Sequence, residues 1–307
     1  MILIIGNSVD EARPVTEEIK RISKREIIFF RANKCLEGES VGFSFIDGKM
    51  KSFAVIDEKE MDLDKIKSVW YWKPLLPKEL RTIQPQEHYI FIYRQFLAMW
   101  RSLASFLANK IWVNDYYKSL EAEHKPYQLK TATELGFNIP DTLITSNPEK
   151  AKDFWIFCKK QMVIKTLMLS PMEDRVIYTN QVTEELMMKI ERLKSSPVIL
   201  QRLIPKKYEL RITVVGNNIF PVEVESESNI DWRKTRIRLK EHDLPEYIRK
   251  NVFRLLKKLG LRYGCIDMIV TPENEYIFLE INPNGQWSFV EERTGMPIGK
   301  AIARLLI

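Results

Sequence analysis

The chain has 307 residues, 45% of them hydrophobic and 29% charged, with a formal net charge of +7. That composition belongs to a globular protein long enough for two or three domains or subdomains, and it excludes disordered and fibrous classes. No apolar run reaches the length of a membrane span, and the opening residues 1–6 are too short for a signal peptide. The three cysteines (Cys35, Cys158, Cys265) are scattered, with no CxxC or Cys/His pairing. They argue for a reducing cytoplasm and against zinc or a disulfide framework. Only three histidines, His88, His124 and His242, are present, so His-based nucleophilic catalysis has little material. The positive charge fits a Lys-rich solvated surface or an acidic partner. No aromatic-interleaved basic patch marks a nucleic-acid module, so nucleic acid ranks last among acidic partners.

In chain order, an apolar strand at Ile2–Ile5, a polar helical stretch over Asp10–Lys24 and a second apolar strand at Ile27–Phe30 predict a parallel strand–helix–strand unit. A further strand covers Ser68–Pro74. The helical spacing of Phe91, Phe96, Trp100, Leu103 and Phe106 predicts a packed helix over Tyr89–Leu107. These elements make residues 1–119 an N-terminal α/β domain. Pro126 suits the first turn of a helix over Lys125–Leu135, which Gly136 caps. A proline-bounded strand or loop over Asn138–Thr145, a short helix from Pro148, the strand Met162–Thr166 and an amphipathic helix over Thr183–Leu193 complete a central segment, 120–197. The last segment, 198–307, reads as strands Val198–Arg202 and Tyr208–Val215, a turn at 216–218, and a strand at Ile219–Glu225. A polar loop of about 20 residues follows, from Glu225 to Pro245, a length that in compact domains is usually functional. A helix over Pro245–Leu259, the hairpin Cys265–Val270/Tyr276–Asn282 and a closing helix over Pro297–Leu306 end the chain.

The hairpin carries the strongest chemistry. Antiparallel pairing sets Asp267 about opposite Glu280, and the two-residue strand period puts Glu280 and Asn282 on one face. Two carboxylates and an amide oxygen among apolar neighbours match the hard-oxygen preference of Mg²⁺; carboxylates on a solvent face are the bland alternative. On Tyr208–Thr213, Glu209 and Arg211 share a face. An arginine in a central strand is expensive unless it meets an anion: a phosphate, or the carboxylate of Glu209 or Glu223. Lys165 ends a buried strand and Lys125 opens a helix, each a weak signal alone.

Taken in order, Lys125, Lys165, the Gln201–Leu203 segment, Glu209 and Arg211, Asp267, and the run Leu279–Gly285 (LEINPNG) resemble the ATP-grasp ligase core over 115–307. The segments Val69–Pro74, Trp112–Asn114, Asn138–Asn147, Asp231–Arg233 and Asn284–Ile298 extend the likeness to the microviridin-type maturases, the graspetide ligases, and to a thuringinin-type ester-forming member among them. The resemblance implies an α/β (α+β) chain with an N-terminal α/β pre-ATP-grasp domain, a central small subdomain and a C-terminal antiparallel-sheet subdomain. It implies Mg²⁺ on Asp267, Glu280 and Asn282. ATP would lie on Lys125, Lys165, Gln201, Leu203, Glu209 and Arg211, with Arg211, Asp231 and Arg233 serving catalysis and core-peptide positioning. Arg238 is a weaker candidate for the peptide. The implied activity phosphorylates an Asp or Glu side chain of a ribosomal precursor peptide and closes ω-ester or ω-amide rings with Thr, Ser or Lys. Two other activities stay open: addition of free amino acids to a peptide or protein C-terminus, and an inactive nucleotide-binding scaffold. An acidic leader-plus-core peptide, a leader surface around 175–195, a homodimer and a cytoplasmic setting without nucleic acid or membrane follow by the same likeness. One departure stands out: the phosphate lid after the strand lysine, residues 166–176, contains no glycine, and Pro171 removes a backbone donor.

Overall fold

A computed structural model of the chain describes residues 1–72, 74–168, 178–228 and 230–307. The chain divides into two compact units. The first comprises residues 1–119, 260–263 and 297–307; the second comprises 120–259 and 264–296.

The first unit is built on a parallel sheet. Strand β1 (Ile2–Gly6) is fully buried and lies between β2 (Ile27–Arg31) and β6 (Ser68–Tyr71), with β7 (Ile111–Val113) beyond β6. Helix α1 (Val9–Ile22) makes the first crossover. Ser8 caps it by accepting from the Glu11 amide at 3.3 Å, and Ala12, Val15 and Ile19 form its buried stripe. Helix α2 (Gln86–Phe106) buries Trp100 and Leu103, and Trp100 meets Phe30 edge-on at 5.5 Å between ring centres. An antiparallel meander of β3 (Ser40–Ile46), β4 (Lys49–Ile56) and β5 (Lys59–Asp62) lies between β2 and β6 in sequence. This meander is absent from the sequence reading. The C-terminal helix Ile298–Leu306, which the sequence reading set at the end of the last segment, belongs to this first unit. Its C-terminal Leu306 carbonyl accepts from Ser68 Oγ at 2.5 Å and from Arg25 at 3.2 Å.

The second unit has two antiparallel sheets. After α3 (Tyr116–Ala122), which crosses from one unit to the other, α4 (Lys125–Glu134) begins the unit's chemistry. The smaller sheet has the order β10-β9-β11-β8, with β8 Thr142–Thr145, β9 Met162–Lys165, β10 Asn180–Gln181 and β11 Val198–Arg202. Helix α5 (Pro148–Phe157) covers it with a core of Ala151, Cys158, Met162 and Leu200. The single helix expected over Thr183–Leu193 is instead α6 (Glu184–Met188) followed by a 3₁₀ turn over Ile190–Ser195. The buried residues Met187, Ile190 and Leu193 recur at every third position, the period of a 3₁₀ helix.

The larger sheet has the order β14-β13-β12-β15-β16. Its strands are β12 Tyr208–Val215, β13 Asn218–Ser226, β14 Ile237–Glu241, β15 Tyr263–Val270 and β16 Tyr276–Asn282. Strand β14 lies inside what the sequence suggests is a polar loop, and it pairs with β13 from Val222↔Glu241 to Ser226↔Ile237. Exposed charged residues alternate with half-buried Ile237 and Leu239 along it, the pattern of an edge strand. Helices α7 (Glu246–Leu259) and α8 (Ser288–Thr294) complete the unit.

Candidate nucleotide and peptide site

The site is assembled within the second unit. Helix α4 starts at Lys125 with proline in its first turn, so the lysine sits where the chain enters the helix. Gln128, one turn on, is buried. Its amide donates to the carbonyls of Ala122 (2.5 Å) and Ile281 (2.7 Å), and its Oε1 accepts from the Ile281 amide at 3.1 Å. Those bonds tie α4 to β16 and hold Lys125 beside Glu280, whose Oε2 receives a hydrogen bond from Lys125 Nζ at 2.7 Å. Gln128 is a site-building residue that the sequence reading passed over. Its one signal was position, a polar group at the i+3 spacing from Lys125.

Across β15 and β16 the register pairs Asp267 with Glu280 and Cys265 with Asn282, with an irregularity just after Asp267. Glu280 and Asn282 line one cavity together with Lys125, Lys165, Thr166, Arg233 and Glu123. Asp267, Arg211, Glu209 and Asp231 are not among the residues lining it. Burial opposes the charged form of Glu280, but Lys125 and Lys165 outweigh it and hold the carboxyl at about 2. Burial also drives the Lys165 pKa downward, with Lys125 and Arg233 adding repulsion against the pull of Glu280. The Lys165 ammonium makes no hydrogen bond among the described residues. A half-buried cation in that condition gains most from an anion.

Asp267 has a different fate. Burial, with the neighbouring Glu280 charge, pushes its carboxyl upward against the opposing Arg211. Arg211 is 6% exposed; its Nη1 reaches both Asp267 oxygens at 3.0 Å and its Nη2 donates to the Gln286 carbonyl at 2.9 Å. Asp267 is thus a carboxylate partner of Arg211 beyond Glu209 and Glu223, the two weighed from sequence. Glu209 forms a buried ion pair with Lys206, and burial raises its pKa against that lysine. Glu223 Oε1 lies 2.9 Å from His242 Nδ1 and accepts from it in the tautomer that carries the proton there. Lys206 is another residue that sequence reasoning missed, three positions from Glu209 but on a connecting segment without periodicity. Gly285 has a packing reason: a Cβ there would stand 2.3 Å from Cys265 Cβ and 2.8 Å from Arg211 Nη2. Only glycine lets the turn pass this close to the guanidinium.

Asp231 and Arg233 come together in the connection between β13 and β14. Asp231 accepts from Arg233 Nε at 2.9 Å and Nη2 at 2.7 Å, and its Oδ2 also accepts from the Thr179 amide at 3.3 Å. Burial opposes ionisation of Asp231, yet Arg233 lowers its pKa; the hydrogen bond from the same pair raises that of Arg233. Gln201 is buried and donates to Thr142 Oγ1 at 3.0 Å, while the Leu203 amide donates to the Gln161 carbonyl. Neither lines the cavity; Ile199 of the same strand does. The expected lid begins at Thr166, Leu167 and Met168, which line the cavity; its residues 169–176 lie outside the described residues.

Lysines and an arginine gathered around a deprotonated glutamate and an amide oxygen, on two antiparallel sheets, define a nucleotide-dependent ligase of the ATP-grasp class. The comparisons make the assignment specific. The chain is 31% identical to the macrocyclase MdnC from Microcystis aeruginosa MRC, solved bound with precursor peptide MdnA, over 99% of this chain and 98% of that one, with a TM-score of 0.88. It is 30% identical to the RiPP-associated ATP-grasp ligase of Chryseobacterium gregarium, in complex with ADP and a leader and core peptide, with 99% and 96% coverage and a TM-score of 0.84. Macrocyclase MdnB of Microcystis aeruginosa MRC follows at 27% identity, 100% and 98% coverage, and a TM-score of 0.83. The chain belongs to this family of RiPP-associated ATP-grasp ligases and macrocyclases, the graspetide ligases. No family model matches it. Among curated proteins a 64-residue stretch is 34% identical to histamine N-methyltransferase of Cavia porcellus, and it spans 22% of that protein's length and 20% of this chain.

Proposed function

We propose that the protein spends ATP to activate an Asp or Glu side chain of an acidic ribosomal precursor peptide and closes ω-ester macrocycles with Thr or Ser, or ω-amides with Lys. The observation that carries this reading is the single cavity on which Lys125, Lys165, Arg233, Glu280 and Asn282 converge. The lysines offset phosphate charge, and they do so in a partly water-excluded site where such contacts are worth more. Glu280 and Asn282 present the hard oxygens that fit Mg²⁺, and Glu280 is kept ionised for it. Asp267 completes that set in the proposal, with Arg211 fixing its orientation; Arg211 itself is proposed to serve the phosphates through the same contact. Mg²⁺ supplies charge neutralisation on the ATP phosphates when bound. Gln201, Leu203 and Glu209 are proposed for the adenosine end.

In the reaction, the carboxylate oxygen takes the γ-phosphoryl group and ADP leaves. The hydroxyl or amine then attacks the acyl carbon, loses its proton and expels phosphate. No protein nucleophile is needed, and no Cys or His is among the residues lining the cavity. Asp231 and Arg233 position the core peptide in this reading. The leader occupies the surface around 178–195, the described part of the expected stretch; of the segments 120–197 and 198–307, the first carries the ATP lysines and the second the metal strands, with residues 297–307 belonging to the first unit. A homodimer is proposed through exposed apolar residues of the first unit such as Phe45, Ile46 and Phe91. The three free thiols suit the proposed reducing cytoplasm, and no helix among the described residues is long and apolar enough to cross a membrane.

Mass spectrometry of a Thr- and Lys-containing acidic precursor peptide with this protein, ATP and Mg²⁺ tests the reading. Loss of one water per bond, reversed by mild alkali, is the ester outcome and would extend to the thuringinin-type subgroup; alkali-stable loss is the amide outcome. A gain of amino-acid residue mass would replace macrocyclisation with free amino-acid ligation. ATP binding without ADP release would leave a scaffold.

A further inference from the structure

Arg233 lines two cavities. One is the nucleotide cavity; the other is bounded by Trp232, Arg236, Arg238, Phe289 and Arg293. Among the described residues, no acidic side chain lines this second cavity. Arg233 is already engaged by Asp231. Arg236 and Arg238 form no ion pair among the described residues, although Glu225 stands opposite Arg238 in the β13–β14 register. Arg293 donates to the Ile237 carbonyl at 3.3 Å. Trp232 and Phe289 pack with ring centres 5.8 Å apart and planes tilted by 33°, giving the cavity an apolar wall.

Guanidiniums gathered in one cavity repel each other. An anion removes that repulsion, and a carboxylate suits the planar fork of arginine in particular. We propose that this cavity binds a second carboxylate of the acidic peptide, distinct from the one activated at the nucleotide. The aromatic pair packs against the neighbouring apolar stem. The inference rests on the macrocyclase reading for its substrate, and the shared wall at Arg233 joins the two subsites. A peptide held at two carboxylates has its reacting acid placed by a neighbouring one, so the spacing of acids along the core would govern which ring closes.

The test is fluorescence anisotropy with fluorescein-labelled tetraglutamate, with saturating ADP and Mg²⁺ filling the nucleotide cavity. Labelled tetraglutamine and a thymidine oligonucleotide of the same charge serve as comparison ligands. Wild type is expected to bind tetraglutamate about 10-fold more tightly than tetraglutamine, and the Arg236→Ala/Arg238→Ala double variant is expected to lose about that factor. The Arg236→Lys/Arg238→Lys variant, which keeps charge but loses the fork, is expected to bind with an affinity between wild type and the double alanine variant, which separates charge reading from misfolding. Equal binding of tetraglutamate by wild type and the double alanine variant would overturn the inference. So would equal affinity for the two peptides, or a preference for the oligonucleotide. The assay needs no turnover, so a protein that binds tetraglutamate as expected but forms no rings would sink the proposed function and leave this subsite standing.

Discussion

Two cross-strand neighbours, Asp267 and Glu280, share one hairpin and end with opposite electrostatics. Glu280 faces the cavity, holds Lys125 at 2.7 Å and is kept ionised at about 2 by the lysines. Asp267 is pushed upward by burial although Arg211 contacts both its oxygens at 3.0 Å. The difference lies in how many cations each carboxylate meets. Glu280 feels Lys125, Lys165 and Arg233; Asp267 feels Arg211 and, as a smaller influence, Arg233, beside a like-charged neighbour. Where cations outnumber the carboxylate, spare positive charge remains for a phosphate. Where one guanidinium contacts both oxygens of a carboxylate, as Arg211 does for Asp267, the pair fixes geometry. The lysine corner therefore reads as the reacting end and the arginine corner as its frame.

The largest expected effect breaks the reacting end. Glu280→Gln keeps the shape but removes the charge, and ADP release with a precursor peptide should fall by roughly 10²- to 10³-fold, the scale of losing one preorganised electrostatic contact. Thermal melting should still report a folded protein, with a midpoint lowered by the loss of the ionised carboxylate's contribution. Unchanged ADP release by this variant would remove Glu280 from the metal role. Next comes the peptide side. Arg233→Ala should reduce ring formation, followed by mass spectrometry, about 10-fold more than it reduces basal ATP hydrolysis. Because the change also leaves buried Asp231 without its partner, the Arg233→Lys variant is measured beside it. Equal loss of both activities would assign Arg233 to the nucleotide alone.

The frame is tested by packing instead of charge. Gly285→Ala forces a Cβ into Cys265 and the Arg211 guanidinium, and overpacking of this kind costs roughly 1–3 kcal/mol. Denaturant midpoints should fall accordingly, and ATP affinity should fall with them as Arg211 and Asp267 shift. A variant as stable and as tightly ATP-binding as wild type would show that the corner is looser than the contacts indicate.

The hairpin register, the Lys125 helix and the Glu280/Asn282 face were legible in the sequence because each rests on a local rule: strand alternation, proline at a helix start, charged groups amid apolar neighbours. The β3–β5 meander was only half as legible. Its first turn is Asp47–Gly48, both residues at positive φ, the dipeptide that signals a two-residue hairpin. Its second turn is Asp57–Glu58, also at positive φ but without glycine, so composition gives no warning. The partners of Arg211 and Glu209 could not be read at all. Asp267 lies 56 residues from Arg211, and its choice over Glu209 depends on which strand lies beside β12, a long-range outcome of sheet order. Lys206 was hidden for the opposite reason: it is close to Glu209 in sequence but in a segment with no pattern to orient it.

The smallest effect, and the one that sharpens the comparison most, is on stability in acid. Glu280 has a folded-state pKa of about 2 against an ordinary value of 4.5. Its contribution to stability is therefore complete above pH 4.5 and disappears as the pH falls through 2. Asp267 is shifted the other way; its burial penalises folding above the ordinary carboxylate range, and that penalty fades as the pH drops and the group protonates. In wild type the two terms oppose each other. In Glu280→Gln only the Asp267 term remains, so stability measured by denaturant midpoints from pH 5 to pH 2 should decline less steeply than in wild type. The gap between the two profiles is bounded at roughly 3 kcal/mol by the size of the Glu280 shift and reduced by whatever the lysines recover by relaxing toward water. Parallel profiles would mean that Glu280 titrates as an ordinary carboxylate, and the contrast between the two corners would then rest on geometry alone.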